Sequence, residues 1–376
     1  MSTFPTAPTF PSRSMDQDTF NTAMDNLFAF LTSLSTWANA PGNLNPLGEN
    51  RLINGGFSFN QRGLSGVTDA NYAFDRWVTL TQTLSTVAPS RLTDPAIGVP
   101  FAARLTQSQS TPERLGQEQI VESVNCRDLR SAAVTFSGAA RMSVAGNVRF
   151  AILEWTGTAD SVTRDRVFDW TSTNYTGGNF FIAANVNILA VGSVAVTGGS
   201  SFVPFSLTAT CGASMNNLIV FYWSESALAQ TATIDVAKCK LEAGSTATAW
   251  QPRSTELELL LCQRYYRKSF PQGTAPAQAA GYGGAISKGG QDASASSDIS
   301  FTTIQFGAPM FATPTVVTYN PHNADAQIVN SNSGVSWTNT AVFGAGPWGF
   351  GVRGTTNAGS QPSDQPNLHY TAEAEL

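Results

Sequence analysis

The chain has 376 residues, of which 42% are hydrophobic, 10% aromatic and only 12% charged. That length suits two compact domains and a smaller appendage. The charge content is far below the roughly 25% of an ordinary soluble domain. Ser, Thr, Asn, Gln and Gly must therefore cover the surface, which suits β-structure and subunit contacts that desolvate few charges. The net charge is −5 and no basic run occurs, which excludes a phosphate-tracking nucleic-acid protein.

Met1 to Pro11 is a proline-punctuated arm without the basic and apolar regions of a secretory signal, which implies synthesis in the cytosol. No run approaches the roughly 20 apolar residues needed to span a bilayer, so membrane insertion is not expected. A helix follows, with Ser14 and Gln17 as a capping box and an apolar stripe at Phe20, Met24, Leu27, Phe28, Leu31, Leu34 and Trp37. It ends before Ala40-Pro41-Gly42, in a stretch from Asn39 to Asn50 with linker composition. The stripe serves either to pack on the chain's own sandwich or to dock and oligomerise.

From Arg51 to Arg253 the helical period gives way to short β-prone runs: Tyr72 to Leu80, Ala132 to Phe136, Val148 to Trp155, Phe180 to Val186, Ser201 to Thr208, Leu218 to Trp223 and Thr233 to Leu241. Turn-forming clusters separate most of them, the signature of an antiparallel sandwich or jelly roll. Thr163-Arg164-Asp165-Arg166 reads as a solvated turn. Thr255 and Glu258 form a second capping box, opening a short helix whose Leu257, Leu260 and Leu261 face either the sandwich or other copies of the chain. Pro271 to Ala280 has linker composition, and a smaller β-domain follows with strands expected at Asp298 to Phe306, Thr315 to Tyr319, Ala326 to Val329, Val335 to Thr338, Gly349 to Val352 and Leu368 to Ala374. The fold class is thus mainly β: N-terminal helix and arm (1–49), jelly-roll sandwich (50–253), helix and linker (254–280) and C-terminal β-domain (281–376).

Catalytic signals are weak. Gly344-Ala345-Gly346-Pro347-Trp348-Gly349 matches a dinucleotide fingerprint only as text, because β-like sequence follows it where a helix is required. Only His322 and His369 are present, without a nucleophile elbow, and the four cysteines form no C-x-x-C pair and read as buried thiols. Glu154, Asp160, Asp165 and Asp169 could supply a glycosidase pair, but sequence fixes no separation between them. No cofactor, metal or enzymatic activity is assigned. Aromatics beside amides in β-loops are the better lead, since sugars present C–H faces and hydroxyl edges. The candidate glycan-binding residues are Trp337, Trp348, Tyr319, Asn320, His322 and Asn323, with core packing as the alternative for either tryptophan.

Three segments resemble phage tail-fibre and related virion proteins. Leu52-Ile53-Asn54-Gly55-Gly56-Phe57-Ser58-Phe59-Asn60-Gln61-Arg62-Gly63, with Tyr72-Ala73-Phe74-Asp75-Arg76-Trp77, is similar to the opening of a carbohydrate-binding-module-like jelly roll in such fibres. Lys240-Leu241-Glu242-Ala243-Gly244 through Ala249-Trp250-Gln251-Pro252-Arg253 to Cys262-Gln263-Arg264-Tyr265-Tyr266 resembles that domain's closing strand and exit helix. Phe306 to Val316 with the segment from Tyr370 to Leu376 is similar to the small β-domain that often follows. In related domains an acidic residue often follows the opening and helps hold a calcium ion; Ser58 stands there, so no metal is carried over. The resemblance implies a virion subunit of a tail fibre or spike, assembled in the host cytoplasm. It implies a homotrimer that attaches to other virion proteins through residues 1–49 and reads host cell-surface polysaccharide, with Leu257, Leu260 and Leu261 as oligomer-interface candidates. The alternatives are a purely structural adaptor of the particle and a polysaccharide depolymerase.

Overall fold

A computed structural model describes residues 17–39, 50–94, 97–288, 297–358, 360–361 and 363–376. The proline arm, the Ser14 cap and the stretch from Ala40 to Glu49 lie outside the described residues, as do the side chains of Leu34 and Trp37. Helix α1 spans Gln17–Asn39, where the stripe predicts it, and Phe20, Phe28 and Leu31 on it are exposed. Among the described residues no helix is long and apolar enough to cross a membrane.

The strands that follow are β1 (Asn71–Phe74), β2 (Trp77–Thr81), β3 (Val87–Leu92), β4 (Ala102–Gln107), β5 (Leu115–Val121), β6 (Ala133–Met142), β7 (Ala145–Trp155), β8 (Val186–Thr197), β9 (Val203–Thr210), β10 (Asn217–Ser224) and β11 (Thr233–Ala243). They form two antiparallel sheets, ordered β1-β2-β5-β10-β7-β8 and β3-β4-β11-β6-β9. The consecutive pairs β4 and β5, β6 and β7, and β10 and β11 fall in opposite sheets, the arrangement of a jelly-roll sandwich. The core between the sheets takes Leu105, Phe136, Phe150, Val220, Tyr222 and Val236.

All eight residues of β10 are buried, because the six-stranded sheet is covered on both faces. Leu218, Val220 and Tyr222 enter the inter-sheet core. Ile219, Phe221 and Trp223 enter a second cluster on the other side. That outer cluster is roofed by the 156–185 segment through Val167, Trp170, Phe180 and Phe181, by Cys262 and Tyr265, and by Leu376. The expected strand from Phe180 to Val186 is therefore mostly roof: Phe181 makes only isolated bridges, and the strand proper begins at Val186. The expected strand from Tyr72 to Leu80 divides at Asp75-Arg76, where Arg76 takes a φ of 70°. The Thr163–Arg166 turn also departs from expectation, because Arg166 is fully buried beneath this roof opposite Glu118. All four cysteines are buried free thiols.

Helix α2 spans Thr255–Gln263 and is capped by Ser254, whose side chain accepts from Leu257 N, and not by Thr255. The remaining strands are β12 (Tyr266–Lys268), β13 (Ile286–Ser287), β14 (Asp298–Gln305), β15 (Thr315–Tyr319), β16 (Val329–Asn330), β17 (Thr338–Gly346), β18 (Gly349–Thr355) and β19 (Pro366–Glu373). β19 pairs with β12, β13, β15 and β16, while β14, β18 and β17 form a three-stranded sheet. Between them Phe301, Ile328, Trp337, Phe350, Val352 and Leu368 make a third core. The glycine-rich text match lies in the β17–β18 hairpin, so no helix opens there.

The C-terminal segment returns to the sandwich. Glu375, 1% exposed, pairs with Arg76 and with Arg62 at 3.0 Å. Arg62 and Arg76 lie over the rings of Tyr266 and Tyr265 at 4.0 and 3.6 Å. Tyr72 donates to the Leu376 carbonyl at 3.0 Å, and Arg264 pairs with Glu122 at 2.6 Å.

Candidate functional site

The residues carrying the sequence resemblance meet in space, and their role there is architectural. Asn54, buried with φ 57°, donates to the carbonyls of Phe59 and Asp75 and accepts from Phe59 N. Its own N–H donates to Glu258 of α2 at 2.5 Å, and Trp77 donates to its carbonyl at 3.2 Å. Gly55 is required here, since a Cβ would stand 2.1 Å from the Cys239 carbonyl oxygen. The opening segment, the hairpin after β1 and the exit helix are thereby tied into one knot. The Ser58 carbonyl accepts from Arg91 at 2.6 Å.

The candidate glycan residues of the C-terminal β-unit do not form one site. Trp337 is 1% exposed in the third core, so its ring offers no platform; its Nε1 lacks a hydrogen-bond partner among the described residues. Asn320 is fully buried and spends its amide on Asp325 and Ser336 and on the N–H groups of His322 and Asn323. Asn323 donates to the Gly334 carbonyl and to Ser336. These amides shape a turn. His322 is exposed and lies parallel to Tyr282 at 6.3 Å, while Tyr319 packs on Phe270. Trp348 is 64% exposed, but it belongs to the opposite end of the unit. Tyr319 pairs with His369 midway along β19, whereas the Trp348 turn receives Met310 N at the Pro347 carbonyl, next to Phe311, which donates to Arg264.

The leucines divide similarly. Leu261 packs on the outer cluster of the sandwich, Leu257 is half-buried, and Leu260 is exposed. Of the carboxylates considered for hydrolysis, Glu154 accepts from Gly212 N and Asn187, and Asp160 from Ser123 and Asn217. Asp165 and Asp169 bond the N–H groups of Val167 and Thr171. Each holds a loop.

A site that the sequence reading did not identify lies on the outer face of the five-stranded sheet. It is an open groove of about 440 Å³. Its floor is Ser137-Gly138-Ala139 of β6 beside Pro204-Phe205-Ser206 of β9. Gly138 leaves room for the Phe205 ring, whose edge lies 2.8 Å from where a Cβ would be, so an aromatic edge underlies the floor. One wall is the half-buried Trp250, packed on Gly56, together with Ala247 and Thr248. That wall is held in place. Glu242 accepts from Thr248 N at 2.8 Å and from its hydroxyl at 2.6 Å, Lys240 pairs with Glu242 at 2.9 Å, and Thr208 donates to the Ser245 carbonyl. Lys238 edges the groove, with Nζ 3.5 Å from where a Cβ on Gly98 would stand. An indole wall, a shallow floor of small residues and the hydroxyls of Ser137 and Ser206 match the C–H faces and hydroxyl edges of a saccharide. In sequence, the one available signal was Trp250, in the segment Gly244 to Trp250 that follows the closing strand.

No protein-family model matches the chain, and no curated protein matches it. Among solved structures, it is similar to TmCBM61 in complex with β-1,4-galactotriose, at 10% identity and a TM-score of 0.32 over 52% of this chain and 99% of that one. It is similar to the enzymatically active domain of bacteriophage CBA120 tailspike protein 4, at 8% identity and a TM-score of 0.31 over 52% of this chain and 21% of that one. A CBM4 structure matches at 12% identity and a TM-score of 0.29, over 51% of this chain and 98% of that one. Likeness at this level carries no argument about ligand or activity.

Proposed function

We propose that the protein is a structural and host-recognition subunit of a phage-type particle, a tail fibre or spike that binds a surface glycan in the groove of its sandwich. The observation that carries the binding half is the groove itself: a wall of Trp250 beside Thr248, which Glu242 holds, over a floor of small and hydroxyl-bearing residues. The particle half rests on the sequence resemblance, and the low charge and the exposed apolar residues of α1 are consistent with docking through residues 1–49. In this reading the protein is a binder and not a depolymerase, and it acts within the virion.

Replacing exposed Ser206 by Trp fills the groove from a surface position and should abolish binding on an array of bacterial surface polysaccharides, with the melting temperature unchanged. Full binding by that variant would move recognition elsewhere, and Trp348→Ala then tests the C-terminal unit. Release of reducing ends from a bound polysaccharide would instead make the protein a depolymerase.

A homotrimer belongs to the same proposal. Leu260, 45% exposed on α2, is the interface candidate left open to other copies, so Leu260→Asp should convert a trimer to monomers in light scattering. A wild-type monomer at micromolar concentration would remove the trimer from the proposal.

A further inference from the structure

Lys238 sits where the β11–β6 register breaks, between Ala237 and Lys240, and its backbone φ is 57°. A non-glycine residue rarely adopts this left-handed conformation, and bulges re-aim side chains. Here Cys239 remains fully buried in the inter-sheet core while Lys238 is turned to the groove.

The other charges on this face cancel. Arg104 pairs with Asp235 at 2.8 Å, Arg141 with Asp94 at 2.9 Å and with Asp235 at 2.7 Å, and Lys240 with Glu242 at 2.9 Å. Among the described residues these pairs set three cations against three anions. Lys238 forms no ion pair or hydrogen bond among the described residues, so its ammonium is the uncompensated charge at the groove.

Resting on the reading of this groove as a glycan site, we infer that it selects an acidic saccharide, with Lys238 pairing with a sugar carboxylate while Trp250 takes an adjoining ring face. A neutral glycan would leave the ammonium partly desolvated without a partner, whereas a carboxylate gives it a charge-assisted hydrogen bond. The chain as a whole is negative at −5, so an anionic ligand gains nothing from long-range attraction and depends on this local contact.

The test uses the full chain on an array of bacterial surface polysaccharides, each printed in native and carboxyl-reduced form, followed by titration calorimetry on the strongest binder. Acidic members should bind, carboxyl reduction should remove most of the signal, and Lys238→Met should weaken binding roughly tenfold with no change in melting temperature. Lys238→Arg should retain binding. Raising the salt concentration should weaken the wild type and leave the methionine variant nearly unaffected. Equal binding to native and carboxyl-reduced forms, blocked by Ser206→Trp, would overturn the acidic preference and leave the glycan groove standing. Absence of binding to every polysaccharide would overturn both.

Discussion

Replacing Glu375 by Ala should destabilise the protein by about 3–5 kcal/mol, the cost of leaving buried charge without its partner. The Glu375 side chain is 1% exposed and serves two guanidiniums, those of Arg62 and Arg76, whose side chains are 9% and 1% exposed. Each guanidinium also lies over a tyrosine ring, and a ring face cannot replace the carboxylate that pairs with both; Arg62 keeps Glu373 and Asp75 as further partners, so the loss falls mainly on Arg76. Because this cluster joins the sandwich to the C-terminal unit, calorimetry should show the transition moved down by roughly 5 °C or split in two. Glu373 provides the internal control. It pairs with the same Arg62 at 3.2 Å but is 40% exposed, so Glu373→Ala should cost under about 1 kcal/mol. Equal effects from the two variants would mean that the seam is wet in solution and contributes little.

Stability should also fall as pH rises from 6.5 to 8, by about 1.4 kcal/mol per unit at its steepest, because of Glu118. Its carboxylate is fully buried on the outer face of β5 and has no hydrogen-bond partner among the described residues. The nearest guanidinium nitrogen of Arg166 stands 3.7 Å away. Burial pushes the Glu118 carboxyl up to about 8, against the opposing pull of Arg166. The folded state therefore keeps a proton that the unfolded chain releases near 4.5, and stability is full below that value and lost as pH climbs through 8. Burial also raises Asp75 and Asp165, which act with the same sign as Glu118, and it lowers Arg166. Burial raises Asp69 to about 6, with the same sign at lower pH. Burial lowers His369, which opposes the trend only below its ordinary value of 6.5, and burial lowers Lys268 to about 8, which acts above that pH. Urea midpoints across pH 6.5–8 should slope for the wild type and slope less steeply for Glu118→Gln. A wild type with no slope would mean that the Glu118–Arg166 pair is ionised and hydrated.

The sequence by itself determined the class of fold. The stripe of α1 repeats at the helical period, and the apolar runs that became β7, β10 and β11 are long enough to stand out against polar turns. β5 is absent from the expected strands, since Gln117, Glu118 and Gln119 break any apolar run, although all seven of its residues are buried. Their polar groups are met from other strands, as when Gln117 accepts from the Tyr222 hydroxyl at 2.5 Å and Gln119 exchanges hydrogen bonds with Ile53. No local pattern reports a partner about a hundred residues away. The roof had the same effect on Phe180 and Phe181, whose apolar character suits a strand equally well until tertiary packing assigns it.

The candidate site was less legible for the same reason. Trp337 and Trp348 lie eleven positions apart in similar composition, yet one is core and the other surface, because only the pairing of β17 with β18 decides which way each faces. The groove draws its floor from β6 and β9, its wall from the segment after β11 and its cation from a bulge. These positions span more than 100 residues and share no spacing. The backbone period and the apolar content are local properties, so sequence determined them. Which polar side chains end buried, paired or left facing solvent depends on strands brought together from distant parts of the chain, and that was decided only by the tertiary structure.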